Sequence, residues 1–443
     1  MKKIIAAVVL VLAFAMLTGI AVYAESGYGY GESVLSEFEP KWDAIQADET
    51  VISVAPGGEQ GELGFGWLSK DDDSKFMISE NADMSGAKEL DVNYDGALGG
   101  YVSNKVTATG LEEGKTYYYS YTENGEWSEP AAITVQDDED FTVLFVSDAQ
   151  IGRSGDEELR EVLVRDTCGW NYTVSKMMKF CPDAAFMISG GDQFQSADSL
   201  TQMKAYLSPE ALRSLPVANT IGNHDKGETL YGDIFNNPNE VNELIADKAG
   251  TGYFYTYGDA LFITVNSNNG FLPDTAKVIR EAVKAYPDAK WRVVTMHHNP
   301  YSAALASDEF SEERLLFSSL YDCYDIDLVL SGHDHFYSRT QPVYAGESAE
   351  GEGTVYVQSS SASGSNYDPL PEELAWYTET AFDVRVPTFT AFTFTENAII
   401  GTTYRTDTDE IIDTFEVADN TSDSTANVFT VFISMVKTLI AMI

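Results

Sequence analysis

Cysteine is scarce. Cys168, Cys181 and Cys323 are the only three in 443 residues, and none is spaced as Cys-x-x-Cys. That excludes a thiolate zinc site and a disulfide framework. The odd count leaves at least one thiol unpaired. The three read as buried structural thiols, with a Cys168–Cys181 bridge left open. Positive charge is also scarce. Lysine and arginine total 27 against 70 acidic residues, a formal net charge of −43. Such a surface repels nucleic acid and anionic lipid at long range. Nucleic-acid binding through a basic surface is therefore excluded, and a polyanionic partner would need a site with its own cations. Histidine numbers only five: His224, His297, His298, His333 and His335.

Apolar residues are plentiful at 44%, with 12% aromatics, enough for a packed core. The length admits two domains. Lys2 and Lys3 precede an apolar run over 4–17, and Val22-Tyr23-Ala24 suits a cleavage site, so residues 1–24 read as a signal peptide. The mature chain is then expected outside the cell or at its surface. Residues 25–50, rich in Gly, Ser and Glu, are expected to form a loosely ordered lead-in. Over 51–136 short strand-forming runs alternate with turns such as Asn93-Tyr94-Asp95-Gly96 and Glu123-Asn124-Gly125, the pattern of a β-sandwich. Residues 136–140 form an acidic linker.

From Phe141 the rhythm changes. Apolar strands over 141–146, 184–188, 216–221, 260–265, 291–296 and 326–330 alternate with helical stretches over 156–179, 274–286 and 309–324, with Asp274 capping the second. A strand pair turns around Gly258-Asp259, and strands follow over 354–357, 389–395, 398–404 and 411–415. This predicts sheets covered by helices over 141–416. Residues 417–427 are a polar linker. Residues 428–443 are apolar but shorter than the ~20 residues needed to span a bilayer. That segment either contacts a membrane, as an interfacial or spanning anchor, or packs as a helix onto the protein or a partner.

All five histidines follow short apolar runs, and they share loops with Asp and Asn. The loops are Ser147-Asp148-Ala149-Gln150, Gly190-Gly191-Asp192-Gln193, Gly222-Asn223-His224-Asp225, Met296-His297-His298-Asn299-Pro300 and Gly332-His333-Asp334-His335. Ligands sit beyond the carboxyl ends of strands in open sheets, so five strand-end loops can pool side chains in one crevice. Oxygen donors with imidazoles suit zinc, manganese or iron. A shared aspartate would permit two ions ~3.5–4 Å apart, the arrangement that clamps displacement at phosphorus.

The motif order D-x-Q, G-G-D, G-N-H-D, H-H and G-H-D-H resembles the calcineurin-like metallophosphoesterases. Gly332-His333-Asp334-His335-Phe336-Tyr337 and the β-rich region ahead resemble the purple acid phosphatases, which carry a fibronectin type III-like domain before the catalytic one. The resemblance implies an N-terminal all-β sandwich plus an α/β four-layer metallophosphoesterase domain, two facing mixed sheets flanked by helices. It implies two divalent metal ions, Mn, Zn or Fe. Asp148 and His335 would bind the first and Asn223, His297 and His333 the second, with Asp192 bridging. Gln150 is a further candidate ligand to the first ion. His224 would stabilise the phosphoryl group or protonate the leaving oxygen, a task suited to a side chain with an unperturbed pKa of about 6.5. His298 and Tyr337 are candidates for substrate contact or for supporting the ligands. Two positions depart from the pattern. Gln150 stands where many relatives have histidine, and Gln195 where purple acid phosphatases have the tyrosine that binds ferric iron. The expected activity is that of an exported phosphoesterase, acid-phosphatase-like on monoesters, in which a hydroxide held by a dinuclear metal centre attacks phosphorus. The alternatives are a phosphodiesterase or nucleotidase on the same site, or a surface binding or scaffold protein with a vestigial catalytic domain.

Overall fold

A computed structural model describes residues 27–303, 311–349, 351 and 353–419. The expected signal peptide, the C-terminal apolar segment and most of the polar linker lie outside the described residues. Within them, no helix is long and apolar enough to cross a membrane.

Two sheets pair face to face in the first third of the chain. One contains Ile52–Pro56, Leu63–Ser69, Val102–Ala108 and Asn93–Gly96; the other is built on Phe76–Ser79 and Thr116–Glu123. Period-two alternation sends Phe65 and Trp67 inward from the first sheet to meet Phe76, Tyr119 and Tyr121 from the second. Thr116–Glu123 turns through Asn124 and Gly125, both at positive φ, into Glu126–Trp127. That is the backbone an Asn-Gly hairpin turn requires.

Beyond Phe141 two larger sheets face each other. The six-stranded sheet runs Val217–Asn219, Phe186–Ser189, Phe141–Val146, Thr388–Phe394, Ile399–Arg405, Ile411–Val417. The first three strands are parallel; the last three pair antiparallel. The seven-stranded sheet has a parallel centre of Ala260–Thr264, Trp291–Thr295, Leu328–Ser331 and Val355–Gln358. Phe141, Val143 and Phe145 point into the layer between the sheets, whereas Leu144 and Val146 point to the helix Arg160–Phe180 on the other side. A strand covered on both faces has no solvated side, which is why its sequence is an unbroken apolar run. Helices Leu272–Ala285 and Ser311–Cys323 cover the outer face of the second sheet. The order of layers is helix, sheet, sheet, helix.

The sandwich docks beside the loop that follows Gly222-Asn223-His224-Asp225. Ser103 Oγ donates to Asp233 O at 2.6 Å, and Asn236 Nδ2 donates to Val106 O at 2.9 Å. A Cβ on Gly66 would meet Ile234 O at 2.2 Å, so the contact requires glycine there.

Three expectations change. The described part of the lead-in is not loose. It forms helices Glu32–Phe38 and Trp42–Ala47, and Tyr30, Phe38 and Trp42 are buried in one core with Leu163 and Val164 of Arg160–Phe180. Aromatic residues four apart make one helical face, which polar composition had masked. Asp274 does not cap its helix. The helix starts at Leu272, and the buried Asp274 carboxylate accepts the backbone N–H groups of Leu244 and Ile245 at 2.7 and 2.9 Å. Finally, the three cysteines are free as expected, but only Cys168 is buried; Cys181 is half-buried and Cys323 is exposed on the last turn of Ser311–Cys323. Cys168 lies within Arg160–Phe180 and Cys181 just past its end, so about 20 Å of helix separates them.

Replacing Trp42 with Ala is expected to destabilise the protein by about 3–5 kcal/mol, the cost of emptying a large aromatic site. Thermal and urea unfolding of the variant beside the parent test this. A change within error would mean that the segment is not part of the core.

Candidate metal centre

The strand-end loops meet at one edge of the paired sheets. Asp148 follows Phe141–Val146, Asp192 follows Phe186–Ser189, and Asn223 and His224 lie beyond Val217–Asn219. His297 follows Trp291–Thr295, and His333 and His335 follow Leu328–Ser331. Asp148 and Asp192 are 0% and 1% exposed. Donor atoms of Asp148, Asp192 and His297 all lie within 4.8 Å of one another, as do those of His297, His298 and His333.

Two sets of donors emerge. Asp148 Oδ1 is 3.3 Å from His335 Nε2, and Gln150 Nε2 is 3.4 Å from Asp192 Oδ2. His297 Nε2 is 3.3 Å from Asp192 Oδ2 and 3.0 Å from Asn223 Oδ1. Asp192 thus touches both sets. Gln150 Oε1 is buried with no hydrogen-bond partner, and Asp148 Oδ1 has only the His335 contact. Unpartnered buried oxygens are costly unless something else satisfies them. Carboxylate, amide and imidazole donors around such oxygens fit divalent cations.

The imidazoles are oriented from behind. His297 Nδ1 lies 2.9 Å from Gly190 O, His335 Nδ1 3.2 Å from Asn366 O, and His224 Nδ1 3.0 Å from Gln195 O. A carbonyl can only accept, so in each ring Nδ1 carries the proton. Nε2 is then the nitrogen that faces the crevice on His297 and His335, and the one a cation would take in place of a proton. His298 Nδ1 is 2.8 Å from Ser267 Oγ, and its backbone N–H donates to the same hydroxyl at 3.2 Å.

Close approach is permitted by glycine. A Cβ on Gly332 would meet Ser147 Oγ at 1.8 Å and Asp148 Oδ2 at 2.3 Å. On Gly222 it would meet Asp192 Oδ1 at 2.1 Å, and on Gly191 it would meet His297 Nδ1 at 2.4 Å. The donors themselves are strained. Asp148, Gln150, Asp192, His333 and His335 have φ of 54°, 35°, 53°, 80° and 55°. Non-glycine residues rarely adopt this left-handed region, and clusters of them mark functional sites.

Asp225 is a part of the site whose role the motif did not disclose. Its buried carboxylate accepts N–H groups from Asp192 and Gly222 at 2.8 Å each, Gln193 at 3.0 Å and Phe194 at 3.3 Å. One side chain therefore ties the loop of Asp192 to the loop of Asn223. Its place in Gly222-Asn223-His224-Asp225 was the only available signal. Tyr337 is the one named candidate that lies apart. It is buried between the sheets, and its hydroxyl donates to Asp413 Oδ2 at 2.8 Å. The chain re-enters a strand at Tyr337, and alternation points this ring inward.

Charge follows the packing. Burial would depress His297, but the carboxylates of Asp192 and Asp148 outweigh it and hold the imidazole up at about 10. Burial, reinforced by the His297 cation, pushes His333 down to about 4 and His298 well below the usual histidine range. Burial would raise Asp148, but His335 prevails and holds it below the usual carboxylate range. The metal-free centre thus keeps a proton on His297 at neutral pH. Because the folded value is raised, this pair contributes stability that is full below about 6.5 and is lost as pH rises through about 10. A cation at Nε2 must displace that proton. Titrating metal-free protein with Mn²⁺ at pH 7 in buffers of different ionisation enthalpy should show release of at least one proton. Heats independent of the buffer would contradict this.

Residues 141–337 match the family of calcineurin-like phosphoesterases. No curated protein matches the chain. Among solved structures, the chain is similar to the purple acid phosphatase PPD1 from yellow lupin (Lupinus luteus) seeds. The identity is 15% and the TM-score 0.64, covering 83% of this chain and 74% of that one. It is also similar to PhoD at 12% identity and a TM-score of 0.54, covering 89% of this chain and 98% of that one. At these identities the two neighbours speak to the fold alone, and the part of the chain that matches the calcineurin-like phosphoesterase family is the stretch that carries the motif-bearing loops.

Proposed function

We propose that the protein is an exported hydrolase of phosphate monoesters that works with two divalent ions. The observation that carries the reading is the convergence of Asp148, Gln150 and His335 on one side of Asp192, and of Asn223, His297 and His333 on the other. Export is supported by Lys2, Lys3 and the apolar run after them. The ions, when bound, supply a water acidic enough to attack at neutral pH and positive charge for the phosphoryl oxygens.

The chain's own residues do the rest. Asp192 Oδ1 accepts the backbone N–H of His224 at 2.8 Å, which leaves Oδ2 for the cation side. That same bond fixes His224 beside the centre. With Nδ1–H directed to Gln195 O, His224 can deliver a proton only from Nε2, as imidazolium, to the departing ester oxygen. Water adds to phosphorus, the P–O ester bond breaks, and the alcohol leaves with the proton of His224. Gln195 occupies the position where purple acid phosphatases carry a metal-binding tyrosine. A neutral amide there brings no phenolate charge, which favours divalent over trivalent iron.

Two outcomes are expected. His224→Ala should lower kcat on a chromogenic phosphate monoester by about 10²–10⁴-fold while metal content stays at two per chain. Full activity in that variant would remove His224 from the mechanism. The iron-loaded protein should show no visible phenolate-to-metal absorption band. A strong band that fades on reduction would refute the divalent assignment.

A further inference from the structure

A crevice of about 300 Å³ opens beside His298 and His333. Met296, Pro300 and Phe317 form its apolar side, and Lys226, Ser267 and Asn268 its polar side. None of the described residues lining it is acidic. In a chain of net charge −43 this is unusual. An opening of about 410 Å³ at the opposite ends of the strands, by Phe141 and Trp291, is lined by five carboxylates. Lys226 makes no hydrogen bond or ion pair with another described residue, although acidic residues outnumber basic ones 70 to 27. The nearby Glu228 lies against Lys248 instead, at 3.7 Å. Among the described residues Lys226 is therefore a cation without an ion-pair partner, two residues beyond His224, lining a cavity that starts at His298 and His333.

We infer that this crevice receives the leaving group of the substrate, and that Lys226 selects leaving groups bearing a second negative charge close to the ester bond. The inference rests on the phosphoester-hydrolase reading. The phosphoryl group belongs at the His333 end, among the ligand atoms. The remainder of the ester must lie where there is room, and this space begins there. Met296 and Phe317 cover a short carbon skeleton, and Lys226 supplies the counter-charge. Elsewhere the acidic surface disfavours an anion, so one lysine at the mouth has a disproportionate effect on which esters enter. A carboxylate and a second phosphoryl group satisfy the same contact.

The test uses the full chain supplied with Mn²⁺. Calorimetry compares binding of phenylphosphonate and 3-carboxyphenylphosphonate, which differ in one charge and are not hydrolysed. The parent protein should bind the carboxylated compound about five-fold more tightly, the size of a partly exposed ion pair. Lys226→Met should bring the ratio to about one, Lys226→Glu should invert it, and Lys226→Arg should preserve it. Added salt should shrink it. Equal binding by the parent, or a ratio unchanged in Lys226→Met, would overturn the assignment. Hydrolysis of phenyl phosphate, 3-carboxyphenyl phosphate and pyrophosphate is measured in parallel. Selective binding without any hydrolysis would sink the hydrolase reading and leave the crevice assignment standing; hydrolysis without selectivity would do the reverse. A stronger dependence on Lys226 for pyrophosphate than for 3-carboxyphenyl phosphate identifies a phosphoryl group as the preferred anion, and the opposite order a carboxylate.

Discussion

Two carboxylates buried side by side set the terms for everything around them. Asp148 and Asp192 are almost fully removed from water, with oxygens within 4.8 Å of each other through the group they share with His297. Like charges cannot stand so close in a poorly solvated place without positive charge between or beside them. His297 and His335 provide part of it, each with Nε2 3.3 Å from a carboxylate oxygen. Metal ions would provide the rest. The orphaned Gln150 Oε1 is a place where the protein's own hydrogen bonding leaves that requirement open.

Holding such a pair demands a rigid surround. The two sheets give it from below, since each donor leaves a strand buried on both faces. Asp225 gives it from the side, by gathering four N–H groups from two loops. Carbonyls of Gly190, Asn366 and Gln195 give it from behind, by fixing the ring nitrogens. The left-handed backbone at five donor positions is tolerated because these contacts over-determine it. The sandwich adds a further constraint by docking on the segment after His224.

How much of this was legible in the sequence differs from element to element. The strand at Phe141–Val146 was readable because burial on both faces forces an uninterrupted apolar run. The hairpin at Asn124-Gly125 was readable because few dipeptides accept positive φ twice. The site motifs were readable because Gly, Asp, Asn and His recur at strand ends, where polar residues are otherwise unneeded. The helices of the lead-in were missed because Phe38 and Trp42 sit among exposed acidic residues, and their partners on Arg160–Phe180 are more than a hundred positions away. Asp274 was misplaced for the same reason: its acceptor capacity is used by Leu244 and Ile245, which no local pattern connects to it.

By itself, then, the order of residues determined which side chains are chemically able to hold cations and which stretches are strands, because both follow from local composition and periodicity. Only the tertiary structure decided that Tyr337 turns into the core while His335, two residues earlier, faces the crevice. It alone made Asp225 the tie between two loops and placed Lys226, without an ion-pair partner among the described residues, on a crevice whose described lining holds no carboxylate. Those outcomes depend on which distant segments pack together, and packing distance is not written in the spacing of neighbours along the chain.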